Sequence, residues 1–560
     1  MKAANPSDRW RRRAAVRAGI YYSSYQSPFR AGAAVLAAAL LGCLPSSACA
    51  QDYLWTTNSD SITIDRYNGA GGAIVVPGTI TDLPVRQIGQ EAFRNNTNVT
   101  SVVISDGITN IDNGAFQYCF GLTNVVFGKD VARIGNSAFF NCYRLTSLTL
   151  PQGLATLGSS AFAACHFLAQ VEYGNALVSI GDYAFQDCRA LTNGRVPFPV
   201  ASIGREAFSG CHSLTQVELP DTLTNLGYGV YSGCENLTAF VAAPANTVFE
   251  TVDGVLFSKD HRALLLCPAG SKPVSFTIPQ GVTNIGSFAF DRCGELTNVT
   301  IPDGVLSLGS SSFFGCSNLS QVCLPDSVTT VGTEAFRFCT RLASVRLGSK
   351  LLDLGGAAFD SCAALQNITL PDGICQLDYA TFYNCSSLTN ISLPPSLLFM
   401  SGYTFGNCIN LRAVTLPGLA YLGSYNFIGC ANLRAVFFAG NPPAELLNVF
   451  PGCPQAVVYY LPGTGPWNST FSGLPTVLWN PRFQSSGISI SHGARQWACT
   501  VTGTSNIPIV LEASSSLRGA AWTPLAICTL TNGFLRFSDP AWSNCPARFY
   551  RIRGDALPMN

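Results

Sequence analysis

The sequence predicts a β-rich repeat solenoid of about 15 coils, followed by a small all-β, sandwich-like domain. Three observations carry this prediction. Phenylalanine recurs in one column from Phe93 to Phe450 at a step of 23 residues, and cysteine recurs three positions later. Each repeat opens on an L-x-x-L-x-L pattern, the alternation of a short strand with one apolar side. From about residue 481 the period is gone, and short β-rich runs separated by Gly, Asn, Pro and Ser replace it.

Composition agrees with a long array. The 560 residues are 47% apolar and only 12% charged, whereas about a quarter charged is usual. No run of about 18 apolar residues follows the N-terminus, so membrane spans do not account for the bias, and no transmembrane span is expected in the mature chain. A solenoid does account for it, because most side chains of each coil point into one shared core. The net charge of +1 gives no broad attraction for nucleic acid or anionic lipid.

Residues 1–50 read as an export signal. Arg9, Arg11, Arg12, Arg13 and Arg17 make a basic start, and "AGAAVLAAALLG" is apolar but too short to span a bilayer. Ala48 and Ala50 put small residues at a cleavage site before Gln51. The alternative is a bacterial lipoprotein box, "LLGC", with Cys43 as the lipidated residue. Residues 51–92 follow as an N-terminal β cap. "YLWTTNSDSITIDRY" alternates polar and apolar residues like a hairpin, and the first coil would otherwise expose its core.

The solenoid is expected over 93–461. In "LTSLTLPQGLATLGSSAFAAC", Leu145, Leu148 and Leu150 form the inner side of a strand, with Thr146, Ser147 and Thr149 outward. Pro151 and Gly153 turn the chain, and Ala161, Phe162 and Cys165 point back inside. One coil cannot bury its apolar face alone; stacking coils at about 4.8 Å closes a continuous core. Each coil buries several apolar side chains worth roughly 1.5–3 kcal/mol apiece, against a similar total of ordering entropy. Stability therefore comes from the length of the array. Phe is expected to fill the width of each coil, and Cys to serve as a small residue that tolerates burial. Tyr231 fills the one gap in the Phe column, and Asn96 stands in the Cys column of the first coil.

At this point the chain resembles the BspA-like leucine-rich repeat family of secreted and surface bacterial proteins. The resemblance rests on "LTxVxLPxxLxxIGxxAFxxC", repeated in some fifteen coils over about 93–460. It implies a right-handed curved solenoid, a role in adhesion or macromolecular binding, and no enzymatic activity.

The period breaks between Cys234 and Cys293, where "VDGVLFSKDHRALLLCPAG" reads as an inserted β-hairpin near 240–275. It is an ornament on one coil or a protrusion that shapes a binding face. Residues 462–480 read as a C-terminal cap and linker, and 481–560 as a small sandwich of five to seven strands. That last domain could be a tether, a sorting element or a second binding module.

A search for chemistry finds little. Fourteen of the 22 cysteines lie in the spine column, where parallel Cβ vectors give poor disulfide geometry, so free thiols are expected. Cys499, Cys528 and Cys545 sit off the spine, and one disulfide among them is plausible. The four histidines, His166, His212, His261 and His492, have no recurring third partner for a metal or a catalytic role. No nucleophile elbow, zinc-protease motif, P-loop or dinucleotide fingerprint occurs. No cofactor and no metal are implied. Glu172 and Glu218 share one outward column two coils apart, with Arg195 between them, which reads as an acid–base ladder before it reads as a glycosidase pair.

The outward strand positions are more informative. They carry mainly Thr, Asn, Gln and Ser, with scattered charge. Glu172, Arg195, Glu218, Asn298, Gln321, Arg346, Asn367, Asn390, Arg412 and Arg434 form the candidate binding face. The plain reading is a soluble strand face whose Thr and Asn ladders hold register. The functional reading is a long polar surface for an extracellular protein or a glycan. Aromatic residues are scarce on these positions, which favours a protein. The expected function is non-enzymatic binding or adhesion by a secreted or surface-bound monomer. A spacer that presents the C-terminal domain is the alternative, and a hydrolase using concave carboxylates is the remote one.

Overall fold

In the computed structural model the described residues are 52–445, 448–484, 489–491, 496–516, 521–539, 541 and 547–553. The export signal, Cys43, His492 and Cys545 lie outside them. The chain divides into two compact units, 1–271 and 272–560.

The first unit begins with an antiparallel hairpin of Tyr53–Asn58 and Ser61–Tyr67. Leu83–Ile88 joins it in parallel. Two-residue strands then add at each coil, from Asn110–Ile111 to Asn225–Leu226, every one paired 23 residues on. On the opposite wall short parallel strands carry the L-x-x-L-x-L pattern, as in Ser147–Thr149 beside Gln170–Glu172. Their inner residues are buried and their outer residues exposed, so one alternation settles which face meets the core. This wall is interrupted after Glu172, where Gly194 replaces the inner apolar residue. A Cβ there would lie 2.1 Å from the carbonyl oxygen of Gln216. The Asn193 side chain bridges the interruption, donating to the Val171 carbonyl at 3.3 Å and accepting the Arg195 N–H at 3.0 Å.

The insertion is larger than a hairpin. Phe249–Val252, Val255–Ser258 and Ala263–Leu266 form a three-stranded antiparallel meander. Asp253 and Gly254 both take positive φ in its first turn, the conformation that tight hairpins favour.

The core of each unit is organised by the spine column. Eight rings from Tyr67 to Tyr231 stack in the first unit at 4.5–5.7 Å. Eight more from Phe290 to Phe450 stack in the second at 4.9–5.6 Å. The ladder in the first unit therefore starts one layer earlier than Phe93, in the capping segment. The spine cysteines are buried free thiols, as expected, and they also have a bonding role. The thiol is a hydrogen-bond donor, aimed at the carbonyl of the spine aromatic in the preceding coil. Cys119 reaches Phe93 at 3.1 Å and Cys142 reaches Phe116 at 3.1 Å. In the second unit Cys339 reaches Phe313 at 3.2 Å and Cys453 reaches Phe427 at 3.0 Å. The N–H of the same phenylalanine donates forward, as from Phe116 to the Ala138 carbonyl at 2.7 Å. Both backbone groups of the spine residue are thus satisfied by the next coil, with the strict burial that such groups demand. Burial raises the thiols of Cys142, Cys165 and Cys339 far above their ordinary range, whereas the hydrogen bond with Cys430 lowers that of Cys453 at the end of the array.

In the second unit six strands from Ser275–Thr277 to Asn390–Ser392 form one parallel wall. Ala413–Leu416, Ala435–Phe438, Val457–Tyr460 and Leu474–Leu478 continue as a separate sheet. The C-terminal segment forms two small antiparallel sheets. Gln496–Thr502 pairs with Arg482–Phe483, Ser489–Ser491 and Phe534–Asp539. Pro508–Ser514 lies between Thr523–Thr529 and Phe549–Arg553. Seven strands are described, within the expected range. This domain is not a free appendage. Cys499, Val501, Ile507, Ile509 and Leu511 share one core with Ala435, Phe437 and Tyr459, which are outward positions of the last coils. Trp479 donates its indole N–H to the Pro508 carbonyl at 2.9 Å. Cys499 and Cys528 carry free thiols.

Candidate interaction face

Every candidate residue of the strand walls is exposed: Glu172, Arg195 and Glu218 in the first unit, and Asn298, Gln321, Arg346, Asn367, Asn390, Arg412 and Arg434 in the second. In the first unit, register sets Arg195 beside Glu218, and Arg195 Nε lies 3.7 Å from a Glu218 carboxylate oxygen. Both side chains are more than half exposed, and such a pair contributes at most about 1 kcal/mol. Arg195 therefore leans to one acid, and Glu172 does not share it at ion-pair distance.

In the second unit Asn298, Gln321, Ser344, Asn367 and Asn390 stand in one unbroken register. Beside them Arg346 donates through Nη1 to the Cys323 sulfur at 3.3 Å. Arg412 and Arg434 occupy equivalent positions in consecutive coils, joined by the Arg434 N–H to the Arg412 carbonyl at 2.9 Å. Next to them Ala435 and Phe437 are buried under the C-terminal sheets. The outward columns of this wall, from Val274 to Arg434, hold three arginines and no carboxylate.

Threonine and serine at the strand entry hold the wall rigid. Thr123 donates to the Thr100 carbonyl at 2.9 Å, Thr238 to Thr215 at 2.7 Å, and Thr297 to Val274 at 2.9 Å. In the second unit Asn298, Gln321, Asn367 and Asn390, one position on from this entry column, are exposed.

The histidines are scattered. Burial and the nearby Arg189 lower the pKa of His166. His212 Nδ1 is buried without a hydrogen-bond partner, and His261 Nε2 meets Glu250 at 3.2 Å in the meander. Among the described residues no group of His, Cys, Asp and Glu could hold a metal ion. Sequence reasoning missed Cys323. It sits in an outward strand column instead of the spine, and that position was the available signal.

Coils of this length, with a strand wall and a leucine-lined core, define a leucine-rich repeat protein. The model of the BspA type leucine rich repeat region matches residues 79–192, 178–258, 269–388 and 344–454, more than half of the chain. The chain belongs to that family. Among solved structures it is similar to a leucine-rich repeat protein from Eubacterium ventriosum, with 24% identity over 67% of this chain and 91% of that one, at a TM-score of 0.52. A leucine rich cell surface protein from Faecalibacterium prausnitzii matches at 26% identity over 69% of this chain and 97% of that one, with a TM-score of 0.48. A leucine-rich repeat protein from Bacteroides ovatus matches at 24% identity over 76% and 98%, with a TM-score of 0.41. No curated protein matches the chain.

Proposed function

We propose that this chain is an exported, non-enzymatic leucine-rich repeat protein that binds a protein partner at or outside the cell surface through its strand walls. The observation that carries the reading is the wall from Asn298 to Asn390. Its amides are exposed, in register and backed by a ring-stacked core. A pre-ordered polar surface costs little further ordering when a partner docks. Arg346, Arg412 and Arg434, with no carboxylate among them, favour a partner that presents acidic side chains. No helix among the described residues is long and apolar enough to cross a membrane.

The test is a binding screen of the mature chain against extracellular proteins, followed by Arg346→Glu and Arg195→Glu. Charge reversal should weaken a true complex and reduce its salt dependence. Equal binding by both variants would leave the strand walls as spacers and refute the proposal.

A further inference from the structure

Four tyrosines on the return side of the second unit serve neither the core nor the strand wall. Tyr379, Tyr383, Tyr403 and Tyr425 come from three successive coils and form one surface cluster. Tyr403 is its centre: its ring lies 5.4 Å from Tyr379, 6.1 Å from Tyr383 and 5.1 Å from Tyr425. Tyr379 is 60% exposed. The spine phenylalanines behind them already fill the coil, since Phe382, Phe405 and Phe427 are fully buried and stacked. These tyrosines are therefore additions to the repeat. Elsewhere in the second unit the column of Tyr403 and Tyr425 holds Phe288, Ser311, Glu334, Ala357, Ala380 and Asn448.

Glycine clears the ground around them. Gly356 and Gly402 hold the positions that flank Tyr379 in the coils on either side. The Tyr383 ring lies across Gly406, where an added Cβ would meet ring carbon Cδ2 at 2.6 Å. One polar edge borders the rings. Asn407 Nδ2 donates to the Tyr383 hydroxyl at 3.2 Å and to Asn384 Oδ1 at 2.9 Å. Among the described residues the hydroxyls of Tyr379, Tyr403 and Tyr425 make no hydrogen bond, and the Tyr383 hydroxyl still has its own proton to donate.

We propose that this cluster is a second binding site, separate from the strand walls, for a neutral polysaccharide chain. A pyranose offers an apolar C–H face bordered by hydroxyls. Flat aromatic rings take the face, and phenol and amide groups at the rim take the hydroxyls. Rigid tyrosines supply that amphipathic contact with little conformational entropy to lose. The cluster spans two coil steps, about 10 Å, which suits a run of sugars better than a single ring. No cation stands in it, so an anionic polymer gains nothing there. Asp378 lies next to Tyr379, and a cationic peptide is the competing occupant.

The test is affinity electrophoresis of the mature full-length chain in gels containing hydroxyethylcellulose, xyloglucan, galactomannan or pullulan. A fluorescent oligolysine peptide is titrated in parallel by anisotropy. At least one neutral polysaccharide should retard the wild type. Tyr379→Ala should weaken that retardation about tenfold or more, as loss of the most exposed ring of the cluster would. Tyr425→Ala gives a second reading if Tyr379→Ala lowers the melting temperature, and Arg346→Glu should leave retardation unchanged. No retardation of the wild type, equal retardation of both tyrosine variants, or binding of oligolysine alone would overturn the proposal.

Discussion

Phe313→Ala should open a hole in the middle of the ring ladder that the coil cannot close. Phe313 is fully buried, with Phe290 at 4.9 Å on one side and Phe336 at 5.2 Å on the other. Removing the ring strips roughly 150 Å² of buried apolar surface, about 4 kcal/mol at 25 cal/mol per Å². Two lost ring contacts add to that. Relaxation is resisted because the backbone is held from the next coil: the Phe313 N–H donates to the Ala335 carbonyl at 2.8 Å, and the Cys339 thiol donates to the Phe313 carbonyl at 3.2 Å. The expected cost is therefore at the upper end of the roughly 3–5 kcal/mol known for such truncations. Phe313→Leu, which keeps most of the volume, should cost about 1–2 kcal/mol. An array need not unfold in one step, so the assay pairs urea denaturation with hydrogen exchange of the coils around Phe313. An unchanged midpoint, or equal costs for Ala and Leu, would refute the claim that the stacked ring carries the load.

Three further outcomes follow from the same geometry. Cys323 and Cys375 are the exposed thiols among the described residues, so Cys323→Ser with Cys375→Ser should remove two equivalents from the fast phase of thiol labelling. The spine cysteines, and Cys499 with its pKa pushed up to about 11 by burial, should react only on unfolding. Asp378 has a pKa raised first by burial and then by Asp353; the folded state holds its proton more tightly, so its cost to stability appears as pH rises through that raised pKa. Asp378→Asn should accordingly raise the melting temperature at pH 7 and leave it unchanged near pH 3, and an equal shift at both would refute the assignment. Ala164 sits at φ 58° and Ala161 is a fully buried spine residue. Ala164→Gly should be neutral or stabilising by up to about 1 kcal/mol, whereas Ala161→Gly should destabilise by about 1 kcal/mol or more, both read from urea midpoints.

The fold was legible because Phe and Cys repeat at one spacing, and a fixed spacing in a stack means a fixed place in the core. What the cysteine does there was not legible. Its small size explains burial equally well with or without a hydrogen bond, and only the direction of the thiol toward the Phe carbonyl separates the two. The left-handed residues were hidden for a different reason. Two positions on either side of each spine aromatic take positive φ, as at Ser137 and Asn141 around Phe139. They are filled by Ser, Asn, Asp, Glu, Arg, Tyr, Phe, Ala and Gly in turn, so no residue type marks them.

The candidate face was legible as a set of columns, and its end was written in one of them. The outward position that holds Thr300, Arg346, Thr369 and Thr415 turns to Phe437, Tyr459 and Val477 in the last coils. Polar residues there would stay wet; these three are apolar because the C-terminal sheets pack on them. An apolar residue on an otherwise polar outward column is a contact site, by the same logic that makes an exposed apolar patch informative. That has a consequence for binding. The free face of the second unit stops where this packing starts, and Arg412 and Arg434 flank the covered strip. Expressed alone, residues 481–560 would lose Ala435, Phe437 and Tyr459 from their core. Binding assigned to that domain must therefore be measured with the last coils attached, and a fragment starting at Leu411 is the shorter piece that keeps all three.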